Sequence, residues 1–466
     1  MNETLANRLT EFGQEHLLAF WDELTENQRR GLVEQIADVD FAAIAELARK
    51  QQQAADFAAL AARAEPPPAF RLGGSDNRFP ATEARAAAIA AFERGEVGAI
   101  LVAGGQGTRL GFPHPKGMFP IGPVSHAPLF QILFEKVLAL GRRHGAPVPL
   151  YLMTSPATHA ETVAYLEQKQ RFGLAADDVH VFCQGQMPAV EIDSGRLLLE
   201  DRDRLALSPD GHGGTLAALA KSGGLADMAR RGLRHVLYFQ VDNPLAEFCD
   251  PEFLGYHLLS DSEMTSQVVR KSFPLERVGN VVSVDGHLQI IEYSDLPDAM
   301  AALTNPDGSL KFWAGSIAVH LFERAFLERM QAQAGGLPFH VARKKVAHID
   351  SDGNRIEPQE PNAIKFERFI FDLLPSAARA IVVEIAAARG FAPVKNAPGE
   401  QQDTPEAVQA AMVALHSEWL REAGATVAPG TQVEISPLFA LDAAELSGKV
   451  TRGLQVTQPT YFVKQD

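Results

Sequence analysis

Cysteine is almost missing from this 466-residue sequence. Cys183 and Cys249 are the two that occur, and neither stands in a C-x-x-C pair or near a histidine at metal-ligand spacing. That argues against a disulfide framework and against a structural zinc, and both read as core or pocket-edge thiols. Long apolar runs are missing as well: although 46% of the residues are hydrophobic, nothing approaches the roughly 18 to 20 residues of a membrane span. The first residues, Met1 to Arg8, lack the charged-then-apolar layout of a secretory signal, so the expected location is the cytoplasm, with no membrane partner. Basic excess is missing too. Lys and Arg number 43 against 58 Asp and Glu, and the formal charge of −15 opposes general binding to nucleic acid. An anionic substrate would have to be drawn in by local cations. There are no repeats and, apart from Ala-rich helices, no low-complexity segment. The length leaves room for two or three domains, and composition does not address the oligomeric state.

What is there divides by pattern. Residues 1–92 read as helical: Leu5, Leu9 and Phe12, then Leu17, Phe20, Trp21 and Leu24, then Leu32, Ile36 and Val39 recur at helical spacing. Thr25 with Gln28 three residues on has the form of a capping box, and the Phe20–Trp21 stripe reads as core. Over 93–396, short apolar strands alternate with helical segments, which predicts a mostly parallel sheet covered on both faces. The strand signals fall at 99–103, 149–153, 179–182, 235–241, 264–269, 279–284 and 317–320, with a helical pattern at 130–140. A polar run at 398–403 reads as a linker. Beyond it Thr404 caps a helix to about residue 423, and 433–438 and 461–463 read as short strands, so 397–466 forms a small C-terminal domain.

The stretch 98–116 carries the most chemistry. The apolar run Ala99-Ile100-Leu101-Val102-Ala103 stops at glycines, as a strand buried on both faces does. Gly104, Gly105 and Gly107 have no Cβ, so the backbone there can take positive φ, gather N–H donors and let a phosphate or a base approach. Arg109 and Lys116 add two positive charges. An isolated G-x-G is as often only a tight turn. Two other phosphate motifs do not fit: Lys116 is followed by Gly117 where a Walker loop has Ser or Thr, and Phe112-Pro113-His114-Pro115 keeps the chain extended where a dinucleotide fingerprint opens a helix.

The run Ala103-Gly104-Gly105-Gln106-Gly107-Thr108-Arg109-Leu110-Gly111, followed by Pro115-Lys116-Gly117-Met118, resembles the nucleotide-binding loop of the UDP-sugar pyrophosphorylases, most of all their UDP-N-acetylhexosamine branch. The resemblance covers nearly the whole chain and is strongest over 99–397. It implies a Rossmann-like α/β nucleotidyltransferase domain with an N-terminal helical region and a small β-rich C-terminal domain. Val102, Ala103, Gly104, Gly105 and Lys116 would then lie along the nucleotide.

Other segments join this reading one by one. Gln184 precedes Gly185-Gln186-Met187-Pro188-Ala189, and its amide, donor and acceptor at once, matches the imide edge of uracil. A glutamine in such a loop more often satisfies local backbone; the family has one ahead of the same Gly-x-x-Pro-Ala pattern. Pro209-Asp210-Gly211-His212-Gly213-Gly214 opens a helical segment, as sites for anions or bases do. Gly211 matches a family glycine that lies against uracil. The next position contacts the sugar phosphate, and His212 stands where the N-acetylhexosamine branch has Asn; a histidine there is more like the UDP-glucose branch. Asp242, in Val241-Asp242-Asn243, ends a buried strand; such an Asp is commonly a cap, and it is also the hard oxygen ligand that Mg²⁺ takes alongside substrate phosphates. The resemblance makes it the magnesium carboxylate.

By the same resemblance Gly279, Glu292 and Tyr293 belong to the sugar-facing part, on two strands joined at Asp285-Gly286. Ser316 replaces the Asn of the family's Ala-Gly-Asn segment and is a shorter partner for the sugar's acyl-amino group. Lys365 and Lys395 match family lysines that reach the phosphates. The implied reaction takes UTP and N-acetylglucosamine 1-phosphate to UDP-N-acetylglucosamine and pyrophosphate. His212 and Ser316 keep open the same reaction on glucose 1-phosphate or galactose 1-phosphate, and a nucleotide-sugar binding module without turnover is a third reading. Such a step needs no protein nucleophile, so Arg109, Lys116, Asp242 and Lys395 would act by positioning and charge.

Overall fold

The structure, a computed structural model, describes residues 3–50, 57–333 and 336–464. Two compact units are assembled from pieces far apart in sequence: 1–56, 184–215 and 335–372 make the first, and 57–183, 216–334 and 373–466 make the second. They do not coincide with the consecutive segments 1–92, 93–396 and 397–466. The part of the expected helical region over 51–56 lies outside the described residues.

The second unit is built on a ten-stranded sheet. Its strands are β1 (Ala69–Phe70), β2 (Val97–Val102), β3 (Leu150–Thr154), β4 (Val179–Cys183), β5 (His235–Gln240), β6 (Met264–Arg270), β7 (Gly279–Val284), β8 (His287–Ile291), β9 (Ala314–Glu323) and β10 (Ala380–Ile385). The order is β1-β10-β6-β9-β5-β2-β3-β4, with β7 pairing β9 and β8. Neighbours run parallel except at β9, which is antiparallel to β5, β6 and β7, and in the β7–β8 hairpin. The expected mostly parallel sheet is therefore observed. Residues 97–101 and all five residues of β3 are buried, which is why these strands read as unbroken apolar runs. The helix Leu129–His144 turns Ile132, Leu133, Val137 and Leu140 inward and ends at Gly145, whose φ of +71° suits a residue without a side chain. Asp285 and Gly286 both have positive φ, as a two-residue hairpin turn requires.

The carboxy-terminal part of this unit is fixed by caps and one carboxylate. Thr404 accepts the N–H of Ala407 and caps the helix Pro405–Glu422, as expected. Val433–Ile435 pairs in parallel with Thr460–Phe462. Between them Glu434, buried, accepts the backbone N–H groups of Val124 at 2.8 Å and Ser125 at 2.7 Å, and the Ser125 hydroxyl at 2.6 Å. It thus pins the turn that leads from the lysine loop into the helix Leu129–His144.

In the first unit the strand Ala363–Glu367 pairs antiparallel with His340–Lys344 and Val190–Glu191. Its core joins Leu9, Leu32 and Ile36 to Val190, Leu197, Ile364 and Phe366. Thr25 and Gln28 form the capping box of the helix Glu26–Ala37. Phe20 is core, as expected, although Glu15–Leu18 and Trp21–Glu23 are 3-10 turns and not α-helix. Among the described residues no helix is long and apolar enough to cross a membrane, and Cys183 and Cys249 form no disulfide.

Candidate active site

Strands β2 and β5 pair in register, Val102 opposite Gln240, so the loops that follow them leave the sheet side by side at its carboxyl edge. Parallel α/β sheets place ligands at that edge. The loop after Val102 is anchored by Ala103 N–H to Met153 O at 2.8 Å and by the Ser155 hydroxyl to Gly104 O at 2.7 Å. It then closes on itself: Gly107 N–H donates to His114 O at 2.9 Å and Lys116 N–H to Gly105 O at 3.0 Å. The expectation of positive φ at Gly104, Gly105 and Gly107 is corrected. None of the three is left-handed; the left-handed residue of this loop is Gly111, at +69°. At Gly107 smallness serves clearance instead. A Cβ on Gly107 would come within 2.7 Å of Phe112 O, while one on Gly105 would meet nothing within 4 Å, leaving that backbone open to a ligand.

Lys116 opens a short 3-10 turn and points its ammonium at Asp242, 3.9 Å away. Burial pushes the Lys116 ammonium below the ordinary lysine range; Asp242 opposes that shift, Lys395 and Arg109 reinforce it, and Asp403 opposes it. All four of these charged groups therefore bear on Lys116. Arg109 itself is exposed. Asp403 has no precedent in the sequence reading. Burial raises its carboxyl, Lys395 and Lys116 hold it back, and Asp242 raises it further. The run 398–403, expected as a linker, folds back: Asp403 O accepts the N–H of Lys395 at 2.8 Å and of Asn396 at 3.0 Å. Three cations against two acids leave this corner locally positive despite the negative chain, which suits a polyanion.

Three of the sugar candidates meet in the same unit. Gly279 pairs with Ser316 across β7 and β9, and a Cβ on Gly279 would stand 3.1 Å from a Glu292 carboxylate oxygen and 3.8 Å from Ser316 Cβ. Tyr293 follows, largely exposed. A bulge in β9 sets Ser316: the register slips between Ser266 and Val268, Ala318 is forced to a φ of +56°, and the Ser316 hydroxyl accepts the Ala318 N–H at 3.4 Å.

Gln184, Gly211, His212 and Lys365 belong to the first unit. A hairpin of Gln186–Pro188 with Leu207–Pro209 brings Gly185 O to the N–H of Asp210 at 3.1 Å, so buried Gln184 lies beside the 210–214 loop. Gly211 has φ +83°, and a Cβ there would lie 2.5 Å from Arg368 O, so no other residue fits. His212 stacks on Phe369 at 5.2 Å and accepts the N–H of Ile370 on Nδ1 at 3.2 Å. Burial, then His340, pushes its imidazole down to about 4, so it is neutral at pH 7 with its proton on Nε2. Burial pushes the Asp210 carboxyl up to about 6 against the pull of Arg368. Lys365 shares a strand face with Glu367, two residues on, whose Cβ is 3.2 Å from where a Gly211 Cβ would be.

The model of the family described as UTP--glucose-1-phosphate uridylyltransferase matches residues 82–447. The chain belongs to this family. As a uridylyltransferase-family member it is a nucleotidyltransferase, with the α/β fold that the sequence implied. It is 38% identical over 432 residues to the human UDP-N-acetylhexosamine pyrophosphorylase-like protein 1, spanning 90% of this chain and 85% of that one. To the UDP-N-acetylglucosamine pyrophosphorylase of Saccharomyces cerevisiae it is 37% identical over 372 residues, 78% of each chain. The uridine diphosphate N-acetylglucosamine pyrophosphorylase of Trypanosoma brucei superposes with a TM-score of 0.81 at 27% identity, covering 98% of both chains. The UDP-glucose pyrophosphorylase of Leishmania major, at 20% identity, a TM-score of 0.55 and 69% and 66% coverage, shares the fold alone.

Proposed function

We propose that this uridylyltransferase-family enzyme joins UTP to N-acetylglucosamine 1-phosphate in the cytoplasm and releases pyrophosphate and UDP-N-acetylglucosamine. The observation that carries the reading is the Lys116–Asp242 pair at 3.9 Å on the sheet's carboxyl edge, with Arg109, Lys395 and Asp403 bearing on it. A phosphate oxygen of the sugar 1-phosphate attacks the α-phosphorus of UTP, and the bond to the bridging oxygen of the β-phosphate breaks. Lys116 and Arg109 hold the β- and γ-phosphates and take up the charge of the leaving pyrophosphate. Lys395 and Lys365 offset the repulsion between two anions. Val102, Ala103, Gly104 and Gly105 line the nucleotide, Gln184 and Gly211 read uracil, and His212, Gly279, Glu292, Tyr293 and Ser316 face the sugar phosphate.

Asp242 fits Mg²⁺ held mainly by substrate. Among the described residues no three His, Cys, Asp or Glu side chains gather as a metal cage, and one carboxylate plus phosphates and water is a common magnesium arrangement. When bound, the ion would neutralise phosphate charge. The relatives named for N-acetylated sugars favour the N-acetylhexosamine, whereas His212 and Ser316 favour glucose or galactose 1-phosphate: a neutral imidazole donates once from Nε2 where an Asn amide both donates and accepts. Pyrophosphate release measured against a panel of sugar phosphates and nucleoside triphosphates separates the readings. The expected result is turnover with UTP and N-acetylglucosamine 1-phosphate at least ~10-fold above glucose or galactose 1-phosphate, the scale of one pocket contact. Equal turnover would replace the sugar, and UDP-sugar binding without pyrophosphate release would sink the enzyme reading.

A further inference from the structure

Asn243 follows the candidate magnesium carboxylate and is 4% exposed. Its side chain does three things at once. Nδ2 donates to Gly390 O at 2.8 Å, and Oδ1 accepts the N–H groups of Leu245 and Ala392, each at 3.2 Å. Two N–H groups converging on one atom require that atom to be the oxygen, so the amide orientation follows from the network. The bond to Leu245 is local and would serve any tight turn. The other two reach 147 and 149 residues along the chain. Next to them Val394 N–H donates to Asp242 O at 2.8 Å. Residues 390, 392 and 394 are thus gripped at every second position, with a side-chain amide standing in for a peptide group, and the segment delivers Lys395 immediately afterwards. From the other side the buried ammonium of Lys136 donates to Pro244 O at 2.8 Å and Ala246 O at 3.1 Å, so the loop after Asp242 has little slack.

We propose that Asn243 is a positioning residue that fixes the spacing between Asp242 and Lys395, and through it the approach of the sugar phosphate to the magnesium-held nucleotide. This rests on the reading of Asp242 and Lys395 given above. Only an amide of this length can donate to Gly390 and accept from Ala392. Serine can keep the local turn to Leu245 and reaches neither of the distant partners.

The test is pyrophosphate release by wild type, Asn243→Ser, Lys395→Ala and the double variant, with thermal melting of each. A misplacement of ~1 Å costs ~10²-fold, so Asn243→Ser is expected to lower kcat by ~10- to 100-fold with the KM for UTP within about threefold. Lys395→Ala should then cost at least ~10-fold less in the Asn243→Ser background than in the wild type, because groups that act through one another are non-additive. Wild-type kcat in Asn243→Ser, or fully additive losses in the double variant, would overturn the inference and leave the reading of the site intact. An unimpaired Lys395→Ala would instead overturn that reading. If Asn243→Ser does not fold, the same cycle on Asn243→Gln, which keeps both amide functions without adding charge but sets them one methylene further out, decides.

Discussion

Replacing Lys116 by methionine keeps most of the stem and removes one charge. Its ammonium lies 3.9 Å from the Asp242 carboxylate, and both side chains are less than one-fifth exposed. At an effective dielectric of ~20, a unit charge at that distance is worth about 4 kcal/mol, and the departing pyrophosphate would feel the same ammonium at similar range. Loss of one contact of this kind typically lowers turnover by ~10² to 10³, about 2.7–4 kcal/mol. The two magnitudes agree. Steady-state pyrophosphate release should therefore show Lys116→Met reduced by that factor, with the KM for UTP changed only a few fold. Because burial opposes the ammonium while Asp242 favours it, the melting temperature should move by only a few degrees, which separates lost chemistry from lost folding. Since Lys116 releases its proton below the ordinary lysine range, kcat/KM should fall on the alkaline side before pH ~10.4. Lys116→Arg should lose that limb, because guanidinium does not deprotonate. A folded Lys116→Met enzyme with turnover within threefold of wild type would refute the reasoning.

Asp210 makes a pH prediction. The folded protein holds its proton up to about pH 6 and the unfolded chain only to about 3.9. Its contribution to stability is thus present below pH ~4 and is lost as pH rises through 6. Asp210→Asn should gain on the wild type by about 2 kcal/mol between pH 4.5 and 7.5 in urea melts, and a pH-independent difference would count against it. Chelation by EDTA should abolish turnover and leave the melting temperature within ~1 °C, since a ligand adds stability only where it binds the folded protein. A large drop in melting temperature would point to a resident ion.

The strands at the middle of the sheet were legible because burial on both faces leaves an unbroken apolar signature, as in β2 and β3. Lys116 and Asp242 were legible because each follows such a strand, and the structure brings them together. Asp403 was not. Its polar surroundings read as a linker, and what places it is a loop closure, the N–H groups of Lys395 and Asn396 donating to its carbonyl across eight and seven residues, which no periodic pattern announces. Asn243 was visible only as part of a triplet, since its partners near residue 391 are set by tertiary folding. The same holds for the glycine loop: composition permitted positive φ at Gly104, Gly105 and Gly107, and neighbouring Phe112 and Lys116 decided otherwise. The bulge at Ala318 breaks the local rule for a non-glycine residue, and no pattern in 314–323 announces it.

The core of the first unit joins residues near the amino terminus to Ile364 and Phe366. On a ribosome moving at ~5–20 residues per second, the opening helices would wait on the order of 15 to 60 seconds for the strand that buries them. Val190 and Leu197 arrive sooner and cover part of their apolar faces, and the remainder stays bare until Ile364 and Phe366 follow. Nascent-chain sheltering, more than final stability, should therefore limit the yield of this protein at high expression rates.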